Sequence, residues 1–282
     1  MLPVTAPPRV RRGPLRRPPR PWIALSAAFA SACSRFWTVP AQHELTQVHG
    51  DGAAEALDAN SLRVLVWNVY KGKRKQWRAE FERLVAQSDL VLAQELLLHD
   101  PTHQLLATTE LSWTTATSFV YARRDDERAT GLGTASRAGA LEAVALQSDG
   151  REPITRTPKL ALVTAHRLSD GSTLLVVNVH AINFVGFDHF DAQLDAIQSQ
   201  IHDHAGPVLL AGDFNTWSAR RLRRLELLAD ALDLEAVDFA ADPRRRVLDH
   251  AFVRGLMVER SEVHRGRASD HLALSFELVR VD

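Results

Sequence analysis

The chain has almost no cysteine: one residue, Cys33, in 282. A disulfide framework within the chain is excluded, and so is a cysteine-rich zinc site. Net charge is missing as well, with 34 basic residues against 34 acidic ones and a formal charge of +0. Global electrostatics therefore gives no argument for a nucleic-acid partner. The N-terminal apolar segment, Trp22 to Cys33, falls short of the ~20 residues that a membrane span needs. What is present, 45% hydrophobic and 24% charged residues, is ordinary globular composition. It suits one large domain plus a tail.

The tail is residues 1–33. Met1 to Pro21 is rich in Pro and Arg (Arg9, Arg11, Arg12, Arg16, Arg17 and Arg20) and has no apolar periodicity, so it is predicted to be disordered. Basic residues, then a short apolar run, then small residues follow the order of a bacterial export signal. Ala30-Ser-Ala-Cys33 also resembles a lipoprotein cleavage box in which Cys33 would be lipidated, with Ala30 where Leu is usual. An uncleaved disordered tail, or a mis-called start, is the other reading. A signal implies export or membrane association through this segment; its absence implies a cytoplasmic protein. Residues 34–60 read as a linker of low structural content, and 61–282 as the catalytic domain. A monomer is expected.

That domain is organised around Pro207-Val-Leu-Leu-Ala-Gly-Asp-Phe-Asn-Thr-Trp217. Val208 to Ala211 reads as a buried strand, and Gly212 permits a tight turn. Asp213 and Asn215 then stand just past the strand end, where open α/β sheets place their chemistry. A carboxylate that orients a nucleophile and an amide that donates to an oxyanion suit phosphoryl chemistry. Gly, Asp and Asn are also ordinary turn residues.

The pattern repeats along the chain. Leu62 to Asn68 reads as a strand ending in Asn68. Leu90 to Ala93 is strand-like, with Glu95 emerging at its end. Thr173 to His180 delivers Asn178 and His180 on one face, by period-two alternation. Val247 to Val253 reads as a short strand with Asp249 near its start, and Asp270-His271 precedes the closing strand Leu272 to Leu278. A carboxylate, with Asp249 the obvious candidate, could hold and polarise His271. Helices are predicted over Gln76 to Gln87, about His189 to His204, and Leu222 to Leu232. Ala116 to Tyr121, Gly131 to Ser136, Ala140 to Gln147 and Ala161 to His166 are candidate strands without long helices between them, which suggests antiparallel pairing within a sheet. Gly131 and Gly133 read as turn or close-packing positions. Arg156 and Lys159 face either a phosphate or solvent. Arg220, Arg221, Arg223 and Arg224 either contact phosphates or form a solvated helix start paired with Glu226 and its neighbours.

Trp67-Asn68, Gln94-Glu95, Asn178-Val-His180, Gly212-Asp-Phe-Asn215, Leu248-Asp249 and Ser269-Asp-His271 occur in the order of the endonuclease/exonuclease/phosphatase superfamily, the DNase-like and sphingomyelinase-like phosphodiesterases. The resemblance covers Leu62 to Leu278. The wording around Val177 to Phe184 and Gly212 to Arg221 looks most like a bacterial branch. The resemblance implies an α/β four-layer sandwich, two mixed β-sheets flanked by helices, with the site where the strand ends converge. It further implies Mg²⁺ or Mn²⁺ held by Glu95, with Asn68 beside it and Asp270 contributing through water. Asp213 would orient or deprotonate the attacking water and Asn215 would hold a phosphate oxygen. His271, paired with Asp249, would stabilise the phosphoryl group, and His180 would protonate the leaving oxygen or bind the phosphate. Arg156 and Arg220 are the candidate phosphate contacts. Tyr70 stands where many DNA-repair members have an acidic residue, and His180 where they use a tyrosine, which argues against abasic-site repair. The implied activity is hydrolysis of a phosphate ester, nuclease action on DNA or RNA first. The alternatives are a phospholipid-directed hydrolase and a non-catalytic binding module.

Overall fold

In β3 (Leu62–Asn68), β4 (Leu90–Leu98), β9 (Thr173–His180) and β10 (Val208–Asp213), alternate residues point to opposite faces. Leu62, Val64, Val66, Leu90, Leu92, Leu174, Val176, Leu209 and Ala211 fill one apolar layer between two sheets. Their neighbours Leu65, Trp67, Val91 and Ala93 pack on helices α1 (Trp77–Val85) and α2 (Asp100–Ala107). Leu175, Val177, Val208 and Leu210 pack on α3 (Phe187–His202) and α4 (Ala219–Ala231). Strands covered on both faces read as continuous apolar runs, which is why these four were visible in the sequence.

A computed structural model describes residues 37–121 and 128–281. The readings made on residues 1–33 lie outside them. The remaining strands are β1 (Trp37–Thr38), β2 (Thr46–His49), β5 (Ser112–Tyr121), β6 (Ala129–Ser136), β7 (Glu142–Gln147), β8 (Leu160–Arg167), β11 (Glu235–Ala236), β12 (Asp249–Arg254), β13 (Leu256–His264) and β14 (Ala273–Arg280). Among the described residues, one sheet has eight strands in the order β1-β5-β6-β4-β3-β14-β13, with β2 also on β5. The other has six, in the order β11-β12-β10-β9-β8-β7. β3 and β4 are parallel, as are β9 and β10, and antiparallel strands flank both pairs. The result is the α/β sandwich of two mixed β-sheets flanked by helices.

Two expectations are corrected, and two elements had no reading. Residues 37–60 are not a loose linker: β1 and β2 pair with β5, and Leu45 and Leu57 are buried. The middle strands are antiparallel neighbours but do not share one sheet, because β5 and β6 lie in the first and β7 and β8 in the second. Helix α2 and strand β13 had no sequence reading; α2 is a short helix, and β13 alternates too weakly to show a buried face. The close-packing reading of Gly131 holds, since a Cβ there would lie 1.8 Å from the Ala116 carbonyl oxygen. No helix among the described residues is long and apolar enough to cross a membrane.

Gly212 is what lets β9 and β10 approach at their functional ends. Its φ is +142°, and a Cβ would sit 2.1 Å from the Val179 carbonyl oxygen. Both faults are backbone faults that no side-chain rotation relieves. Gly212→Ala is expected to cost about 3 kcal/mol of stability, read from the shift in urea unfolding midpoint.

Candidate active site

The alternation that fills the core also aims the polar strand ends. One step beyond the inward apolar residues come Asn68 on β3, Gln94 on β4, Asn178 and His180 on β9, and Asp213 on β10. Strand pairing sets Asp213 beside His180 on one side and Asp249 on the other, and Asn68 beside Gln94. All are buried. Behind them, Gln94 Nε2 donates to Asn178 Oδ1 at 2.8 Å and Asn178 Nδ2 donates to the Gly133 carbonyl at 3.0 Å, tying the two sheets together.

Asp213 is the hub. Asn68 Nδ2 donates to its Oδ2 at 3.0 Å, and the Asn215 backbone N–H donates to its Oδ1 at 3.0 Å. His180 Nε2 and His271 Nε2 lie 3.6 and 3.8 Å from the same Oδ2. Burial, and then the neighbouring Asp249 carboxylate, push the Asp213 carboxyl up to about 7.

The two histidines have opposite surroundings. His271 Nδ1 stands 2.9 Å from both Asp249 oxygens. Burial disfavours its charged form, but the hydrogen bond and charge of Asp249, with Asp213 and Asp270 adding theirs, outweigh burial and raise it to about 9. His271 is therefore an imidazolium at neutral pH. His180 is held well below the usual histidine range by burial first, and then by the charges of Lys159, His271 and Lys71. It is a neutral imidazole. The His271 loop is pinned to β3, because Trp67 Nε1 donates to the His271 carbonyl at 3.0 Å and Ser269 Oγ donates to the Asn68 carbonyl at 2.6 Å. Arg244 Nη1 donates to the Asp249 carbonyl at 2.6 Å and fixes the other half of the pair.

Glu95 sits at a bulge in β4, where pairing with β6 skips from Ala93 to Leu96. Its φ is +53°, an uncommon conformation for a side chain of this kind. Half-buried, it pairs with Lys71 Nζ at 3.3 Å and lines a small cavity with Lys71, Lys159 and His180. Asp270 is exposed and accepts from Ser269 Oγ at 3.3 Å.

Asn68, His180, Asp213, Asn215, Asp249 and His271 thus form one connected network, and Glu95 joins it through the cavity that it shares with His180. The expected metal set of Asn68, Glu95 and Asp270 is not the tightest group. Among the described residues the carboxylate and imidazole atoms within 4.8 Å of one another belong to Asp213, Asp249 and His271. With His271 protonated between carboxylates, that trio suits proton holding better than metal binding. Asn68 commits its amide to Asp213 and its carbonyl oxygen to the Tyr70 N–H at 3.1 Å, so it positions Asp213. Neither arginine assigned to phosphate has a contact with this network. Arg156 is an exposed loop residue, and Arg220 is exposed and stacked 3.7 Å over the Phe187 ring. Arg223 is exposed and pairs with Glu226, as the solvated-helix reading expects, whereas Arg224 is half-buried and pairs with Asp191 and Asp195 of α3.

Arg221 departs from its neighbours and had no reading of its own. It is 2% exposed and has no carboxylate partner among the described residues. Nη1 donates to the Ile182 carbonyl at 2.7 Å and the Asn215 carbonyl at 3.3 Å, and the guanidinium lies against Phe190 and Trp217. It clamps the two loops that follow β9 and β10. The same loops share Asn183, whose Nδ2 donates to Asn215 Oδ1 at 2.7 Å and whose Oδ1 accepts from Trp217 Nε1 at 2.9 Å. Asn215 itself is held at φ +50°. Arg221→Met should shift stability by no more than about 2 kcal/mol, because an apolar replacement removes an uncompensated buried charge. It should lower turnover on the order of 10- to 100-fold by releasing Asn215. Arg221→Lys should do the same, since it lacks the planar guanidinium that packs against Phe190 and Trp217. Urea unfolding and initial rates check the two effects separately.

Comparison with known proteins fits this geometry. Residues 65–271 match the Endonuclease/Exonuclease/phosphatase family. The chain belongs to that family. It is also 37% identical over 234 residues to UPF0294 protein VP2298 of Vibrio parahaemolyticus, covering 80% of this chain and 81% of the relative. Among solved structures it is similar to an endonuclease/exonuclease/phosphatase from Beutenbergia cavernae, with a TM-score of 0.62, 17% identity, and coverage of 79% of this chain and 72% of that one. The human Nocturnin catalytic domain with bound sulfate anion gives a TM-score of 0.58 at 16% identity, covering 86% of this chain and 100% of that one. These structural likenesses establish the fold. Family membership makes the chain a hydrolase of the phosphoesterase type.

Proposed function

We propose that this family member hydrolyses a phosphodiester with a divalent metal ion, Mg²⁺ or Mn²⁺, and that nucleic acid is its first substrate class. The observation that carries this reading is a pair of oppositely tuned histidines on one carboxyl: His271, raised to about 9 and locked on Asp249, and His180, held well below the usual range, both facing Asp213, which is itself raised to about 7. Neighbouring groups driven to opposite proton affinities mark acid–base and charge-stabilising partners.

Asp213 is the base that takes a proton from the attacking water. A carboxyl with a proton affinity near neutrality suits that role. His271 directs its charged ring at the phosphoryl group and stabilises the charge that builds there, while Asp249 keeps it protonated. Asn215 supplies an amide donor to a phosphate oxygen. His180, being neutral, binds the phosphate as a hydrogen-bond donor in preference to protonating the leaving oxygen. The donor chemistry fits a hard divalent ion: the strained bulge turns Glu95 into the cavity with Lys71 as its one partner, and Asp270 offers an exposed carboxylate beside His271. Glu95 and Asp270 would hold the ion, with Asn68 steadying Asp213 next to it. When bound, the ion neutralises phosphate charge and polarises its oxygens. Export or membrane association through the N-terminal segment belongs to the same proposal.

The test is turnover of plasmid DNA, RNA, sphingomyelin, phosphatidylinositol and a chromogenic phosphodiester by the full chain with Mg²⁺, with Mn²⁺ and with EDTA. Metal-dependent cleavage of DNA or RNA is the expected result. Folded protein that turns over none of these would move the binding-module reading ahead.

A further inference from the structure

The reading above leaves two half-buried lysines without a use. Lys71 and Lys159 have side chains 23% and 15% exposed and line one cavity together with Glu95, Ser118 and His180. Each has one carboxylate, Lys71 with Glu95 at 3.3 Å and Lys159 with Glu152 at 3.5 Å. Both ammonium charges are felt at His180.

Their backbones are held in place. Tyr70, Lys71 and Gly72 take φ of +52°, +56° and +64° in succession, a costly run for two residues with side chains. Lys73 lies 4.1 Å over the Tyr70 ring and secures that turn. On the other wall, Lys159 and Ser148 exchange backbone and hydroxyl hydrogen bonds, and Ser118 Oγ donates to the Pro158 carbonyl at 2.7 Å. Two ammonium groups and two carboxylates balance in the isolated protein. A divalent ion held by Glu95 would take that carboxylate from Lys71 and leave the cavity with excess positive charge.

We propose that Lys71 and Lys159 form a second anion-binding subsite, beside the phosphate that reacts, which takes another phosphate group of the same substrate. This rests on the phosphoesterase reading and narrows its substrate to an ester carrying a neighbouring phosphate. A single-phosphodiester lipid offers nothing to that subsite. A strand of nucleic acid offers its next phosphodiester, and a small bisphosphorylated nucleotide offers its second terminal phosphate. Lysine supplies the point charge and three donors that a phosphate accepts.

Binding calorimetry on the full chain tests it. The probes are adenosine 5′-monophosphate, adenosine 3′,5′-bisphosphate, and a dinucleotide with and without a 5′-phosphate. Asp213→Asn protein in Mg²⁺ prevents turnover during the titration. The bisphosphate is expected to bind at least tenfold tighter than the monophosphate. Lys159→Gln should abolish that difference while leaving monophosphate affinity unchanged, and the difference should shrink in EDTA, where Glu95 again neutralises Lys71. A gain for the 5′-phosphorylated dinucleotide over the plain one assigns the subsite to a strand; a gain for the bisphosphate alone assigns it to a small nucleotide. Equal affinity for monophosphate and bisphosphate, or a difference that survives Lys159→Gln, overturns the proposal. Those results leave the phosphoesterase reading standing if the parent enzyme cleaves DNA. A lysine-dependent difference in a protein that cleaves nothing supports the subsite and rejects the catalysis.

Discussion

Replacing Asp213 by Ala is expected to reduce metal-dependent turnover by ~10²–10⁴-fold, the range of a lost general base, with the fold intact. Asp213 reaches Asn68, Asn215 and both histidines of the site, and among the described residues no other side chain reaches all four. The same substitution informs on stability. The folded protein holds this carboxyl at about 7, against 3.8 for an ordinary aspartate. Between those pH values the folded form binds more protons than the unfolded one, so Asp213 makes stability fall as pH rises from about 4 to about 7. Above that window its full penalty is present. Asp213→Asn removes the charge and keeps the shape. Its urea midpoint should therefore match or exceed that of the parent at pH 8, with the advantage gone below pH 4. A variant that loses both activity and stability at pH 8 would instead make Asp213 a structural residue.

The second large effect belongs to Asp249. Asp249→Asn is expected to cost ~10²–10³-fold in turnover, comparable to the loss of a charge-stabilising donor, because His271 would no longer be charged at neutral pH. The stability signature is measured without metal, in EDTA. His271 is raised from 6.5 to about 9 in the folded protein. Its contribution to stability is fully present below pH 6.5 and disappears as pH rises through about 9. In Asp249→Asn that loss between pH 6.5 and 9 should vanish, and NMR titration should place His271 well below its parent value. Removing the Asp249 charge also lowers Asp213, since that charge is one cause of its elevation. The two groups titrate as a coupled pair, so both the neutral and the alkaline limb of the profile move. An unchanged His271 titration would mean that Asp213 and Asp270 hold its proton unaided.

The sequence by itself determined the strand ends. Apolar runs finishing in Asn68, His180 and Asp213 could be read because strands buried on both faces show as runs, and period-two alternation then requires the next inward residue to share their face. The order of short motifs carried the Asp249–His271 pairing from the starts of β12 and β14, and with it the family. Other features arise only when distant segments meet. The bulge that turns Glu95 into the cavity comes from β4 losing register with β6, which no local pattern in Gln94-Glu95 announces. Arg221 lies in a run of four arginines of which three are at least partly solvated, and only the packing of α4 against Phe190 and the loop after β9 buries the fourth. Lys159 and Arg156 looked equivalent in sequence; strand pairing pulled Lys159 toward His180 and left Arg156 at the surface. Proton affinities were likewise beyond local reading, because burial and neighbouring charge set them. His180 and His271 acquire opposite characters only where two sheets close over them and exclude water.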